Sequence, residues 1–295
     1  MPELPEVETI ARGLHSRVTG DVIETVWLGS KPEPLKSPAA EIAAALELRR
    51  ISGVRRVGKH IVFDLEPNGV AHAAVRRRLG QALKGKKKAG GGARSTQRMA
   101  QWIVHLGMSG RMLVCDPDAE IAKHTHAVVK LASGRELRFV DPRRFGRLSV
   151  AYGFEADGVE PLEVQLEQFV SLFRGRKTPI KSALLNQKLL RGVGNIYADE
   201  SLFRAGIRPR RRAASLTKEE LRRLCLAVRE VLKEAIALGG SSVSNYVDAD
   251  GEEGFFQLQH RVYGREGEPC LVCESSIKRV VIAGRSSHYC PKCQK

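Results

Sequence analysis

The chain opens Met1-Pro2-Glu3-Leu4-Pro5-Glu6-Val7-Glu8, and apolar residues then recur at Val7, Ile10, Leu14 and Val18. That spacing keeps one face of a helix apolar, so a first helix follows directly on the N-terminal run. Two chemistries meet there. Proline at a helix start, with acids in the first turn, is what helix initiation favours, because the fixed φ is pre-organised and carboxylates complement the positive end of the dipole. Removal of Met1 would also leave Pro2 as a free secondary amine. An α-amino group is far less basic than a lysine side chain, so near neutral pH a fraction is unprotonated and able to attack an electrophilic carbon. On this run alone, helix start and nucleophile stand level.

Beyond the first helix a largely β region extends to about Tyr152, with expected strands at Val22-Leu28, Ile61-Leu65, Trp102-Leu106, Ala127-Leu131 and Glu136-Val140. Ser133-Gly134 is the turn joining the last two. Short, regularly spaced strands indicate a sandwich or barrel. A Gly-rich, acidic linker, Gly153 to Glu160, precedes a helical pattern at Leu162-Phe173, Ile180-Leu190, Ile196-Ala205 and Lys218-Leu238. The last helix starts with a capping box, Thr217 with Glu220, and stops at Gly239-Gly240. The domains expected are thus a β domain over 1–152, a linker over 153–160, a helical domain over 161–256 and a metal module over 261–295. A polar loop, Ser241 to Gly254, belongs to the helical domain.

The formal net charge of +16 points to a polyanion. An insert-like segment at about 70–99 holds nine of those charges between Arg76 and Arg98, without an acid and with Gly90-Gly91-Gly92 inside it. The remaining +7 makes the charge argument for nucleic acid weaker than the total suggests, and a solvated loop is the ordinary reading of such a run. No stretch reaches the length of a membrane span and no secretory signal opens the chain, so a cytoplasmic protein is expected.

Cys270-x-x-Cys273 and Cys290-x-x-Cys293 enclose sixteen residues, a zinc-ribbon spacing. Four thiolates close a tetrahedral site and leave no position for substrate, so one structural Zn²⁺ is expected. Lys278, Arg279 and Arg285 make the hairpin between the pairs cationic. Cys115 and Cys225 read as small apolar residues. His124-Thr125-His126 is too weak a pair to be assigned a metal.

Five separated motifs, in order, resemble the bacterial formamidopyrimidine-DNA glycosylase family. They are the N-terminal run, His105-Leu106-Gly107-Met108-Ser109-Gly110, Asp141-Pro142-Arg143-Arg144-Phe145-Gly146, Gly192-Val193-Gly194-Asn195-Ile196-Tyr197-Ala198 and the cysteine tail. The resemblance covers nearly the whole chain apart from the basic insert. It implies an α+β multidomain protein with an N-terminal β-sandwich and flanking helix, a helix-two-turn-helix domain and a zinc-bound β-hairpin finger. It implies a monomer acting on double-stranded DNA that contains oxidised bases or abasic sites, in base-excision repair.

By the same resemblance Pro2 attacks C1′ of the damaged nucleotide, Glu3 protonates the sugar ring oxygen, Glu6 orients the amine and Lys59 serves β-elimination. A carboxyl beside an amine prefers to be ionised, so Glu3 needs shielding or desolvation for that task. Damaged bases cannot react while stacked, and Met108, Arg143 and Phe145 match the family's wedge that fills the gap. His124, Arg143, Lys177 and Asn195 match DNA contacts, with Asn195 at a helix start suited to a phosphate. Arg285 matches a residue given DNA contact and a part in δ-elimination; charge stabilisation is the easier role for so basic a group. The loop 241–254 matches a lid over the extruded base. Two other readings remain, a non-catalytic DNA-binding relative and a relative specialised for oxidised pyrimidines.

Overall fold

The computed structural model describes residues 1–68, 99–242 and 246–295; the basic run Arg76 to Arg98 lies outside the described residues. Helix α1 (Leu4–Val18) forms on the expected spacing and buries Leu4, Val7, Ile10, Leu14 and Val18. It serves two cores at once. Leu4 packs into the helical domain, whereas Val7, Ile10, Leu14 and Val18 pack into the β domain.

The β domain contains β1 (Ile23–Leu28), α2 (Ala39–Leu46), β2 (Arg49–Val57), β3 (His60–Pro67), β4 (Ala100–His105), β5 (Arg111–Cys115), β6 (Thr125–Leu131), β7 (Glu136–Val140) and β8 (Arg147–Tyr152). They form two four-stranded antiparallel sheets, ordered β1-β6-β7-β5 and β2-β3-β4-β8. Phe63, Trp102, Met112, Phe139 and Leu148 are buried in their common core. Ala-rich α2 and strands β2, β5 and β8 fall outside the expected elements. In β2 the register shifts between Ile51 and Gly53, so the alternation that marks a strand is interrupted within it.

The helical domain has α3 (Leu166–Phe173), α4 (Ile180–Leu184), α5 (Asn195–Ala205) and α6 (Lys218–Ala237). Helix α4 is shorter than the expected 180–190. The Gln187 amide donates to the Leu185 and Val193 carbonyls and its oxygen accepts from Gly192 N, so that side chain shapes the turn into the Gly192–Gly194 loop. Helix α6 carries the Thr217/Glu220 capping box.

The finger hairpin is β9 (Lys278–Ile282) paired antiparallel with β10 (Arg285–Tyr289). It rests on a small core of Phe203, Val262, Cys270, Ile277 and Cys290. Among the described residues no helix is long and apolar enough to cross a membrane.

Candidate active site

The N-terminal run is bolted between the domains. Glu3 caps α1, and its backbone N–H donates to Glu6 Oε2 at 2.7 Å. Glu6 Oε1 accepts from Ser241 N at 2.8 Å and from the Tyr197 hydroxyl in a very short bond. Glu6 therefore caps its helix and also ties α1 to α5 and to the root of the 241–254 loop. Burial pushes its carboxyl upward, against the pull of these hydrogen bonds.

Glu3 Oε1 accepts from Ile196 N at 3.2 Å, while Oε2 is buried without a hydrogen-bond partner. Burial raises its carboxyl from 4.5 to about 7, opposed chiefly by the Lys59 charge. Desolvation thus supplies the shielding that a proton donor needs. At the start of α5 one amide, Ile196 N, is thus taken by Glu3, an internal carboxyl. Gly194, the N-cap, is required by this approach, because a Cβ there would overlap the Glu3 carboxyl.

Met1, Glu3, Lys59, Asn195, Tyr263 and Arg285 line one cavity of ≈ 330 Å³, and Met108 reaches it as well. Pro2 is buried beside it. Lys59 occupies the Gly58-Lys59 turn between β2 and β3. Burial lowers its ammonium, with the charges of Glu3 and Glu6 opposing. The turn is held from the linker, where Glu160 Oε1 accepts from Gly58 N at 3.0 Å and from Arg191 Nε at 2.9 Å.

Arg285, exposed at the start of β10, reaches the cavity from the finger. Its neighbour Ser286 is anchored: Lys181 Nζ donates to Ser286 O at 2.6 Å and pairs with Asp199 Oδ1 at 2.7 Å. Lys181 and Asp199 are both fully buried. Sequence reasoning missed this pair, as it missed Tyr197 and Tyr263. The signal was slight: a lysine on the short helical run Ile180-Lys181-Ser182-Ala183-Leu184 reads as a solvated face.

Met108 is 42 % exposed and Phe145 52 %, so core packing does not account for either. The Arg143 guanidinium carbon lies 4.9 Å from the Phe145 ring centre. His124, Arg143 and Lys177 are exposed, and the cavity does not include them. His126 is instead a satisfied core histidine, its Nε2 bonded to Asp141 O at 2.9 Å.

The Sγ atoms of Cys270, Cys273, Cys290 and Cys293 lie within 4.8 Å of one another, with pairs at 3.9 and 3.4 Å. Thiolates on one tetrahedral zinc at about 2.3 Å stand about 3.8 Å apart. The four residues fit one structural Zn²⁺. Cys225 is buried and Cys115 half-buried; both are free thiols.

A two-sheet sandwich, a helical domain and a four-cysteine finger converging on an N-terminal proline and glutamate define a class of DNA glycosylase. The chain matches the models for the formamidopyrimidine-DNA glycosylase N-terminal domain over residues 1–148, the formamidopyrimidine-DNA glycosylase H2TH domain over 158–247, and a zinc finger found in FPG and IleRS over 267–295. It is 43 % identical over 306 residues to the formamidopyrimidine-DNA glycosylase of Solibacter usitatus, covering 100 % of both chains. Among solved structures it is similar to the Lactococcus lactis Fpg in complex with abasic-site DNA, with TM-score 0.82, 30 % identity and 99 % of each chain covered. A mutant of that L. lactis protein in complex with Fapy-dG containing DNA matches with TM-score 0.83 and 29 % identity over 100 % of each chain. The chain belongs to the formamidopyrimidine-DNA glycosylase family.

Proposed function

We propose that the protein is a bifunctional DNA glycosylase and AP lyase that excises oxidised purines, 8-oxoguanine and formamidopyrimidines, from duplex DNA in bacterial base-excision repair. The observation that carries the reading is the Glu3 carboxyl, buried with one unpartnered oxygen and raised to about 7, at a cavity shared with Lys59 and adjoining Pro2. Such a group can hold a proton at neutral pH and release it to a developing oxyanion.

With Met1 removed, the Pro2 nitrogen attacks C1′. The glycosidic bond breaks and its electron pair leaves with the base, which takes up the proton that the secondary amine sheds on bonding to C1′. Glu3 donates its proton to the ring oxygen as the C1′–O bond opens, and the nitrogen lone pair completes an iminium to C1′. The iminium acidifies the C2′ proton; its loss to a base expels the 3′ phosphate, and loss of the C4′ proton from the resulting conjugated iminium expels the 5′ phosphate in a second elimination. We assign the uptake of the C2′ proton to Lys59, which lines the cavity and whose ammonium burial lowers. Arg285 stabilises the leaving phosphate by charge, and Glu6 orients the amine end through its bond from Glu3 N. Water hydrolyses the iminium and regenerates the amine.

The Met108, Arg143 and Phe145 tips enter the stack behind the extruded nucleotide, with His124, Lys177 and Asn195 on flanking backbone. The exposed aromatic and thioether beside the cavity favour base extrusion over a purely structural DNA-binding role. Borohydride reduction should trap a covalent adduct with 8-oxoguanine duplex, and Pro2→Gly should trap far less. Equal trapping by both proteins would remove Pro2 from the mechanism. Comparing release of 8-oxoguanine and thymine glycol from matched duplexes tests the purine preference.

A further inference from the structure

The two loops that carry Met108 and the Arg143/Phe145 pair are far apart in sequence, and one buried side chain joins them. Asp141 has no exposed surface. Its Oδ1 accepts from the Ser109 hydroxyl at 2.6 Å and from Arg143 N at 3.2 Å, and its Oδ2 accepts from Gly146 N at 2.7 Å. The backbone of the same residue is equally committed. Asp141 N donates to His124 O at 2.9 Å, and Asp141 O accepts from His126 Nε2 at 2.9 Å. One residue therefore fixes the Ser109 loop, both ends of the Arg143–Gly146 loop and the segment bearing His124.

The loops also approach too closely to move independently. A Cβ on Gly107 would come within 2.5 Å of the Phe145 carbonyl carbon, and one on Gly146 within 3.1 Å of the His105 carbonyl oxygen. Between them Arg144 takes φ 57°, a left-handed conformation that an arginine adopts at a cost and only when its surroundings impose it. Met108 and Phe145 leave about half of their surface exposed in the free protein, so burial alone does not hold the tips in place. Their geometry must come from the base of the loops.

We propose that Asp141 is the positioning residue of the duplex-opening module: it locks both loops into one piece, so that Met108, Arg143 and Phe145 enter the DNA stack as a single preassembled insert. The inference rests on the wedge reading given under Proposed function. Preassembly removes the ordering cost that separately mobile tips would meet on insertion.

Asp141→Asn keeps the shape and removes one acceptor. Whichever way the amide turns, its NH₂ faces a backbone N–H, that of Gly146 or of Arg143, and one tie becomes a clash of donors. Ser109→Ala is milder, freeing the Met108 loop while leaving the other two bonds. Both variants, with Phe145→Ala as reference, would be compared in single-turnover release of 8-oxoguanine and in incision of the same duplex carrying a preformed abasic site. In the second substrate no base has to leave the stack. Fluorescence of 2-aminopurine beside the lesion reports unstacking directly.

Loss of a hydrogen bond to a charged group converts to roughly a tenfold rate loss. Asp141→Asn should therefore slow base release and the 2-aminopurine rise about tenfold or more, and Ser109→Ala, which loses one such bond, about tenfold, with abasic incision changed less than about threefold in both. Parallel losses on both substrates, or no loss on the base lesion in either variant, would overturn the inference. If Asp141→Asn does not fold, Ser109→Ala alone decides by the same two criteria. If Phe145→Ala is also unaffected on both substrates, the wedge reading itself fails; if it slows base release while the other two variants do not, only the role of Asp141 fails.

Discussion

Replacing Glu3 by Gln should make the protein more stable at alkaline pH while removing its base-release activity. Glu3 is 3 % exposed, and its carboxyl stands near 7 against an ordinary 4.5. A folded-state value above the unfolded one means that the native protein binds the proton more tightly. The associated stability is fully present below about pH 4.5 and is lost as pH rises through about 7. At about 1.4 kcal/mol for each pH unit of difference, the ionised carboxyl costs the fold about 3 kcal/mol. Glutamine has the same shape and no charge to desolvate. Denaturant or thermal melts of both proteins across pH should therefore nearly coincide in acid and separate by up to about 3 kcal/mol above pH 8, with Glu3→Gln the more stable. Lys59 opposes the rise, so in a Lys59→Met background the gap between the protein with Glu3 and its Glu3→Gln variant should grow and level off at a higher pH. A difference independent of pH, or a Gln variant less stable in alkali, would refute the desolvated carboxyl and with it the proton-donor role. Base release by the wild-type protein should decline above about pH 7 as the donor ionises.

Three further outcomes follow from the same geometry. Gly194→Ala should push the Glu3 carboxyl off Ile196 N and abolish base release, measured as single-turnover excision, more severely than it lowers the melting temperature. Tyr197→Phe removes the hydroxyl that donates to Glu6 Oε1 and should cost about 1.5–3 kcal/mol in a melt, with the Glu6 carboxyl, already raised by burial, rising further. Stripping zinc with a chelator should unfold the finger and separate Arg285 from the cavity, so strand cleavage falls while the sandwich still melts cooperatively; readdition of Zn²⁺ should restore cleavage.

Much of the fold could be read wherever one local rule governed an element. Helix α1 kept its 3.6-residue spacing, and α6 kept both its capping box and its glycine stop. The cysteine pairs came together because two-residue spacing is itself a local geometry. Elements were hidden where a neighbour overrode the pattern. The shift at Ile51/Gly53 disguised β2, and Gln187, through three bonds to the backbone around it, ended α4 early.

The site divides along the same line. Residues that would touch substrate stand in short motifs, because a loop tip or chain end exposes several neighbours together; Pro2 with Glu3, Met108, and Arg143 with Phe145 are of this kind. Residues that hold those groups are distant in sequence and ordinary in type. Lys181 and Asp199 look like solvated helix charges until the fold buries them against Ser286. Glu160 looks like linker until it caps the Lys59 turn. A buried ion pair contributes little net stability but is costly to break singly, about 3–5 kcal/mol, since the survivor is left uncompensated. Lys181→Met should therefore destabilise the chain by that order and loosen the β10 arm, whereas Lys181→Met with Asp199→Asn should recover much of the stability without recovering the bond to Ser286 O. If the double variant regained full strand cleavage as well as stability, the bond to Ser286 O would be dispensable. The placement of Arg285 would then have to come from the hairpin itself or from the bond that His288 N, also on β10, donates to the side chain at 199.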